Sequence, residues 1–206
     1  MTGYSSPAAG NRLFRRLFSL VLAIGLAVTG LPQATAAPAP PPSMEFPFAR
    51  GQWAYSGGIH TDTGENGGVQ NAIDLLPTDR RVRAAAAGTA RRIDCPGKQG
   101  VPWLKIDHGN GWATGYYQTK DISVYDGQWI NAGQEVGWVG TALDACGGAN
   151  VGEHLHLTLW KDGRPNSWHD MWLSGYKITT EPRQWSGRFD TPDGRIIWLP
   201  ADFRYS

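Results

Sequence analysis

Short alternations of apolar and polar residues, broken by glycine, run along most of this chain. No long segment returns apolar residues every three or four positions. The most regular stretch is Glu153-His154-Leu155-His156-Leu157-Thr158-Leu159-Trp160. Successive side chains of a β-strand point to opposite faces, so Leu155, Leu157 and Leu159 line one face. His154, His156, Thr158 and Trp160 line the other. Two imidazoles two positions apart on an extended strand stand roughly 6–7 Å apart on one side. Imidazole is the commonest metal ligand and the usual acid/base group near neutral pH. A half-buried strand with two incidental histidines has the same pattern, so the choice rests on the remainder of the chain.

That remainder reads as successive short strands parted by glycine turns. Phe46 to Ser56 is aromatic and irregular, suited to covering one side of a sheet, and Gly57-Gly58-Ile59-His60 follows it. The polar loop Glu65 to Asn71 closes on Ala72-Ile73-Asp74-Leu75-Leu76-Pro77, a predicted short strand that plants Asp74 among apolar neighbours. Burying an isolated carboxylate is costly unless it is paired or bound to a cation; a capping role is the alternative. The alanines between Val82 and Ile93 suggest a helix, but Gly88 interrupts them and no cap precedes them. Trp103 to His108 is a strand that turns at Gly109-Asn110-Gly111, and Trp112 to Gln118 pairs back as a hairpin. Gly127 to Ala132 leads into Glu135 to Val139, Gly147 to Gly152 is a loop, and Lys161-Asp162-Gly163-Arg164 is another hairpin turn. The pattern predicts an all-β or nearly all-β domain.

The N-terminus changes the picture of where such a domain works. Arg12, Arg15 and Arg16 precede an apolar run from Leu17 to Leu31 and the small residues Ala34-Thr35-Ala36. This predicts a signal peptide over 1–36, a Pro-rich linker over 37–45 and one domain over 46–206. Its core is expected over about 46–180, with the aromatic tail 181–206 packed on it. A membrane anchor is the other reading of the leader; a secreted protein without stable membrane insertion is the expectation. Losing the leader's three arginines takes the formal charge from +1 to −2, which gives no electrostatic case for nucleic-acid binding. Cys95 and Cys146 are the only cysteines, and an exported pair predicts one disulfide, with two free thiols as the alternative.

A catalytic zinc site takes three protein ligands and one open position. His60, Asp74 and one histidine of the pair supply two nitrogens and one oxygen, but fourteen- and eighty-two-residue spacings match no local zinc motif. Gly58-Ile59-His60 through Asp74, Gly111-Trp112-Ala113-Thr114-Gly115-Tyr116-Tyr117, Asp121-Ile122 and His154-Leu155-His156-Leu157 together resemble the lysostaphin-type, LytM-like zinc endopeptidases. The resemblance covers roughly residues 44–180. It implies that His60, Asp74 and His156 bind one Zn2+ and that His154 acts on the attacking water or the tetrahedral intermediate. It also implies a small antiparallel β domain with a groove over the sheet, acting on peptidoglycan peptide or glycine-rich peptide. A monomer is expected.

Two positions depart from that family. Where it usually reads Tyr-x-His, this chain has Tyr116-Tyr117-Gln118. The expectation is that Gln118 and Tyr116 share the metal-facing side of one strand, where the Gln118 amide donates a neutral hydrogen bond to a developing oxyanion. A domain that binds peptidoglycan or a partner with little or no catalysis is the competing reading. Glu153 stands where relatives commonly have proline, and alternation points it away from His154. His108 reads as a structural hydrogen-bonding residue and His169 as a surface or packing one. Among ten tryptophans, Trp112, Trp129 and Trp160 are candidates to line a groove, with Tyr116 and Trp112 expected to contact substrate.

Overall fold

The computed structural model describes residues 37, 39–62, 67–95, 98–141 and 152–206. The chain begins its ordered path with β1 (Trp53–His60), β2 (Ala72–Pro77), β3 (Arg81–Arg83), β4 (Gly88–Cys95) and β5 (Lys98–Gly109). There follow β6 (Trp112–Tyr117), β7 (Thr119–Lys120), β8 (Trp129–Ile130), β9 (Glu135–Val139), β10 (Leu155–Lys161) and β11 (Arg164–Pro165). The tail adds β12 (Trp172–Leu173), β13 (Tyr176–Thr179), β14 (Arg188–Asp190), β15 (Ile196–Trp198) and β16 (Ala201–Arg204). No helix forms among the described residues, so the fold is all-β.

The main sheet runs β16-β1-β2-β10-β6-β5-β4-β8 with β11 attached to β10, and its pairs are antiparallel. A three-stranded sheet (β3-β9-β7) and a four-stranded sheet (β12-β13-β14-β15) complete the domain. The histidine strand β10 lies between β2 and β6 in the interior of the main sheet. Its leucines 155, 157 and 159 are fully buried, as are Ile73, Leu75, Leu104, Ile106 and Tyr116 on neighbouring strands. Each such side chain contributes about 1.5–3 kcal/mol of burial, so slipping β10 by one residue would exchange three leucines for two histidines at the core.

Two differences from the sequence-based expectation have physical causes. The chain is strand, not irregular cover, over Trp53–His60; a bulge between Ser56 and Gly58 breaks the alternation there and hides it. The chain docks before Phe46, since Met44 is buried and the Glu45 N–H donates to the Ala85 carbonyl at 2.7 Å. The tail is structural: β16 pairs with β1, and Phe203 packs against Phe46 with ring centroids 5.1 Å apart. The alanine run forms no helix because Ala84, Ala85 and Ala86 are buried under the sheet, where the Ala85 N–H donates to the Tyr116 hydroxyl at 2.7 Å.

The tail also reaches the C-terminal half of β1. Gly58 adopts φ +105°, and a Cβ there would collide with the Trp185 carbonyl carbon. Ile59 bridges Ser186 in antiparallel fashion. Gly58→Ala should therefore cost on the order of 2 kcal/mol or more, measured by urea denaturation, and a variant as stable as wild type would refute the close approach. Among the described residues no cysteine is free and Cys95 is buried. Cys146, its predicted partner, lies outside the described residues. Thiol labelling of the denatured, unreduced protein should find none; two labelled cysteines would exclude the Cys95–Cys146 pair.

Candidate metal centre

The register of three strands gathers the site. His156 on β10 stands opposite Asp74 on β2, and Gly58 on β1 also stands opposite Asp74. His60 ends β1 one pleat further on, and His154 sits one pleat the other way, immediately before β10. The consequence is convergence on one atom. Asp74 Oδ1 lies 3.0 Å from His60 Nε2, 3.0 Å from His156 Nδ1 and 3.4 Å from His154 Nε2. His60, Asp74 and His156 each present a ligand atom within 4.8 Å of the others.

Hydrogen bonds on the far side of each ring set the tautomers. His60 Nδ1 lies 2.8 Å from the Thr61 carbonyl, which can only accept, so the proton is on Nδ1 and Nε2 carries a lone pair. That buried Nε2 has no hydrogen-bond partner, although Asp74 Oδ1 is 3.0 Å away. Two lone pairs facing each other at that distance repel unless a cation lies between them. Tetrahedral zinc ligands at ordinary bond lengths stand about 3.3 Å apart. The donor set, two imidazole nitrogens and one carboxylate oxygen, therefore fits zinc with room for a fourth ligand.

Electrostatics support the same reading. Burial alone would raise the Asp74 pKa, but the bond to His156 and the proximity of His60 outweigh it and hold the carboxylate well below the usual range. His156 is pushed up to about 9: burial disfavours its charge, and the carboxylates of Asp62 and Asp74 more than offset that. His154 moves the other way, lowered chiefly by burial despite Asp74. Its Nδ1 lies 3.3 Å from the Gly152 carbonyl, so Nε2 is the lone-pair nitrogen and faces Asp74.

Several expected site residues stand elsewhere. Tyr116 is paired with Leu157 on the core face and fully buried, its hydroxyl near Thr114 Oγ1 at 2.9 Å, so it cannot contact substrate. The residue opposite His156 is Tyr117, whose ring meets the His156 ring edge-on at 5.6 Å and stacks on Trp103 at 4.4 Å. Trp112 shares the core-facing side of β6, is buried, and donates from Nε1 to the Ala39 carbonyl at 3.1 Å; it does not line the site. Gln118 lies beyond the end of β6 with φ 56°, so strand alternation does not aim it alongside Tyr116. It is buried, makes no hydrogen bond to the site histidines or Asp74, and leaves Oε1 without a partner among the described residues. Trp129 is exposed on the far strand β8, and Trp160 donates to Thr158 Oγ1 at 2.8 Å. Glu153 pairs with Arg80 at 2.6 Å and is no part of the donor set. His108 bonds the Ala87 carbonyl and Thr114 hydroxyl at 2.8 and 2.9 Å, a structural role, and His169 is exposed beside Asp170.

Residues with no signal in the sequence complete the surroundings. Asp62 Oδ1 lies 3.0 Å from His156 Nε2, and the Trp185 indole stacks on His60 at 5.4 Å. A cavity of about 500 Å³ beside Asp74 and His154 is lined by Tyr55, Gly57, Leu76, Glu153 and Trp185. Tyr117 is legible from alternation only once its partner strand is known; Asp62 sits two residues after His60, without any spacing signal of its own.

An antiparallel sheet here carries a two-histidine, one-aspartate donor set of the kind that can hold a metal ion. Residues 68–167 match Peptidase family M23, and the chain carries a domain of that family. The matched segment contains Asp74, His154 and His156, while His60 joins them through the strand pairing described above. The chain is 32% identical over 143 residues to Protease LasA of Pseudomonas aeruginosa, covering 64% of this chain and 32% of that protein. It is 29% identical over 147 residues to Beta-lytic metalloendopeptidase of Lysobacter enzymogenes, covering 66% of this chain and 79% of that protein. The M23 metalloprotease pseudoalterin, from the deep sea, superposes with a TM-score of 0.70 at 25% identity, over 79% of this chain and 98% of its own. The chain thus spans about a third of the length of LasA.

The opposed pKa shifts give a pH prediction for the metal-free protein. A histidine whose folded pKa exceeds its unfolded value stabilises the fold fully below about 6.5 and loses that contribution as the pH rises through about 9. The melting temperature of chelator-treated protein should fall by roughly 5 °C over that window if about 2 kcal/mol is lost. Asp74 acts at the other end, its stabilisation being present above about 3.9 and lost as the pH falls towards its depressed folded pKa. A flat thermal profile between pH 6.5 and 9, read by calorimetry, would contradict the assigned charge on His156.

Proposed function

We propose that this domain is a zinc-dependent endopeptidase that hydrolyses peptide bonds in bacterial cell-wall cross-bridges or glycine-rich proteins after export. The observation that carries this reading is the convergence of His60 Nε2, Asp74 Oδ1 and His156 Nδ1, with His60 Nε2 buried and unpartnered. The names of the relatives, a protease and a metalloendopeptidase, support the reaction class. The leader over 1–36 supports export, and a Cys95–Cys146 disulfide accords with it.

His60, Asp74 and His156 hold the metal in this scheme. Zinc in that position supplies a Lewis acid and a water that ionises near pH 7. His154, kept neutral by burial and with the lone pair on Nε2, would take a proton from the attacking water and return it to the leaving amine. The groove beside Asp74 and His154 seats the extended peptide, with Tyr55, Leu76 and Trp185 as apolar wall and Tyr117 on the other side of His156. Gln118, buried beyond the end of β6 and bonded to none of the site histidines or to Asp74, takes no step in this scheme.

The test measures hydrolysis of purified cell walls, pentaglycine and mixed glycine-rich peptides, with and without chelator. Wild type should cut at least one of them, lose activity with chelator and regain it with zinc. His156→Ala should lose zinc and activity together. His154→Ala should keep zinc and lose on the order of 10²–10⁴ in kcat. Loss of zinc from His154→Ala would reverse the assigned roles. Failure of wild type to cut any wall peptide, with zinc bound, would favour a peptidoglycan-binding role.

A further inference from the structure

We infer that Asp62 is a positioning residue: its carboxylate accepts the Nε2–H of His156 and so holds that imidazole, in one tautomer and one orientation, with Nδ1 turned to the metal position. The inference rests on the proposed zinc site, and it assigns a role to a residue outside the donor set itself.

The geometry is that of a bridge between two acids. His156 has Asp74 Oδ1 3.0 Å from Nδ1 and Asp62 Oδ1 3.0 Å from Nε2. An imidazole with a lone pair on Nδ1 for a metal must carry its proton on Nε2, where only an acceptor satisfies it. Asp62 is that acceptor. A carboxylate on the outer N–H of a ligating histidine fixes the ring and raises its basicity, and removing such a partner costs about 10–100-fold in metal affinity.

Asp62 is itself held in place. Its backbone N–H donates to Asn71 Oδ1 at 3.0 Å, and the preceding Thr61 N–H donates to Gln184 Oε1 at 2.8 Å. The Thr61 carbonyl is the group that fixes His60 through Nδ1. Two adjacent residues at the end of β1 thus brace both imidazole ligands from outside, one by a neutral carbonyl and one by a charged carboxylate. The two braces differ in what they supply. The carbonyl orients, whereas the carboxylate also adds negative charge beside a cation site. The other charged and titratable groups described around His156 are Asp74, His60 and His154, and the nearby ring is Tyr117.

The decisive measurement is zinc affinity by competition with a chromophoric chelator, on full-length mature protein and without substrate. Asp62→Ala should weaken zinc binding by about 10–100-fold. Asp62→Asn, which keeps an acceptor oxygen but not the charge, should fall between Ala and wild type. Asp62→Glu should recover part of the loss if its carboxylate reaches Nε2. A second readout needs no zinc: in nitrogen-detected NMR, the zinc-free or zinc-loaded protein should show the His156 Nε2 proton protected in wild type and exchanging faster in Asp62→Ala. Thermal unfolding of the zinc-free variants controls for a purely structural effect. Wild-type zinc affinity in Asp62→Ala, or an unchanged Nε2 proton, overturns the inference. Wild type that binds no zinc overturns the proposed function instead, and the NMR comparison still decides whether Asp62 holds His156.

Discussion

The carboxylate of Asp74 sets the terms for everything around it. It sits on β2, an interior strand of the main sheet, and is almost fully buried. A lone ionised carboxylate in that position would carry a desolvation cost of several kcal/mol. Here the neighbouring strands bring imidazoles to it from both sides: β1 delivers His60, and β10 delivers His156 with His154 just before it. One oxygen surrounded by three nitrogens is stable only with positive charge shared among them. A proton on His156 supplies it in the metal-free protein, and a cation supplies it more completely because the His60 nitrogen has no proton to give. The same arrangement is thus a stability problem without a ligand and a binding site with one.

The sheet satisfies this requirement through register, and register is fixed by the core. The buried face of β10 is made of leucines, so the histidines are committed to the opposite face, and the pairing of Leu155 with Leu75 places His156 against Asp74. On the other side, the pairing of His156 with Tyr117 fixes which tyrosine of the Tyr116-Tyr117 pair faces the site. Tyr116 is spent on the core, where burial pushes its hydroxyl pKa up to about 12 and its partners are Ala85 and Thr114. A side chain's role here follows from the parity of its position relative to a leucine two strands away.

Much of this arrangement is legible in the amino-acid sequence. The His-x-His alternation is intact because β10 has no bulge, and Asp74 stands out because charged residues rarely occur inside an apolar strand. The illegible parts lie where local pattern and tertiary context diverge. The Ser56/Gly58 bulge erases the period of β1, so the strand bearing His60 reads as irregular. The side of β6 that faces the site histidines cannot be read from Trp112 to Tyr117 alone, because both faces of that strand are apolar and aromatic. For that reason Tyr116 and Trp112 pass for substrate contacts in the sequence and are core residues in the fold. Asp62 and Trp185 carry no motif. Their importance comes from strand pairing that brings residues 62, 156 and 185 to one place.

The tail explains why a peptidase-type core of about a hundred residues is not the whole site. The family match ends at residue 167, yet Gln184 ties down the Thr61 N–H, Trp185 covers the His60 ring, and Ser186 bridges Ile59. These contacts stack on the end of β1, where Gly58 leaves no side chain between the tail backbone and the sheet. β1 in turn is pinned on its outer edge by β16, whose Phe203 belongs to the same aromatic cluster as Phe46 and Phe48. The corner that gathers His60, Asp74 and His156 is therefore held from both flanks by residues distant in sequence. A ligand histidine at the end of an edge-proximal strand would otherwise fray with that strand. The tail converts it into an interior position, which is what a preorganised metal site requires.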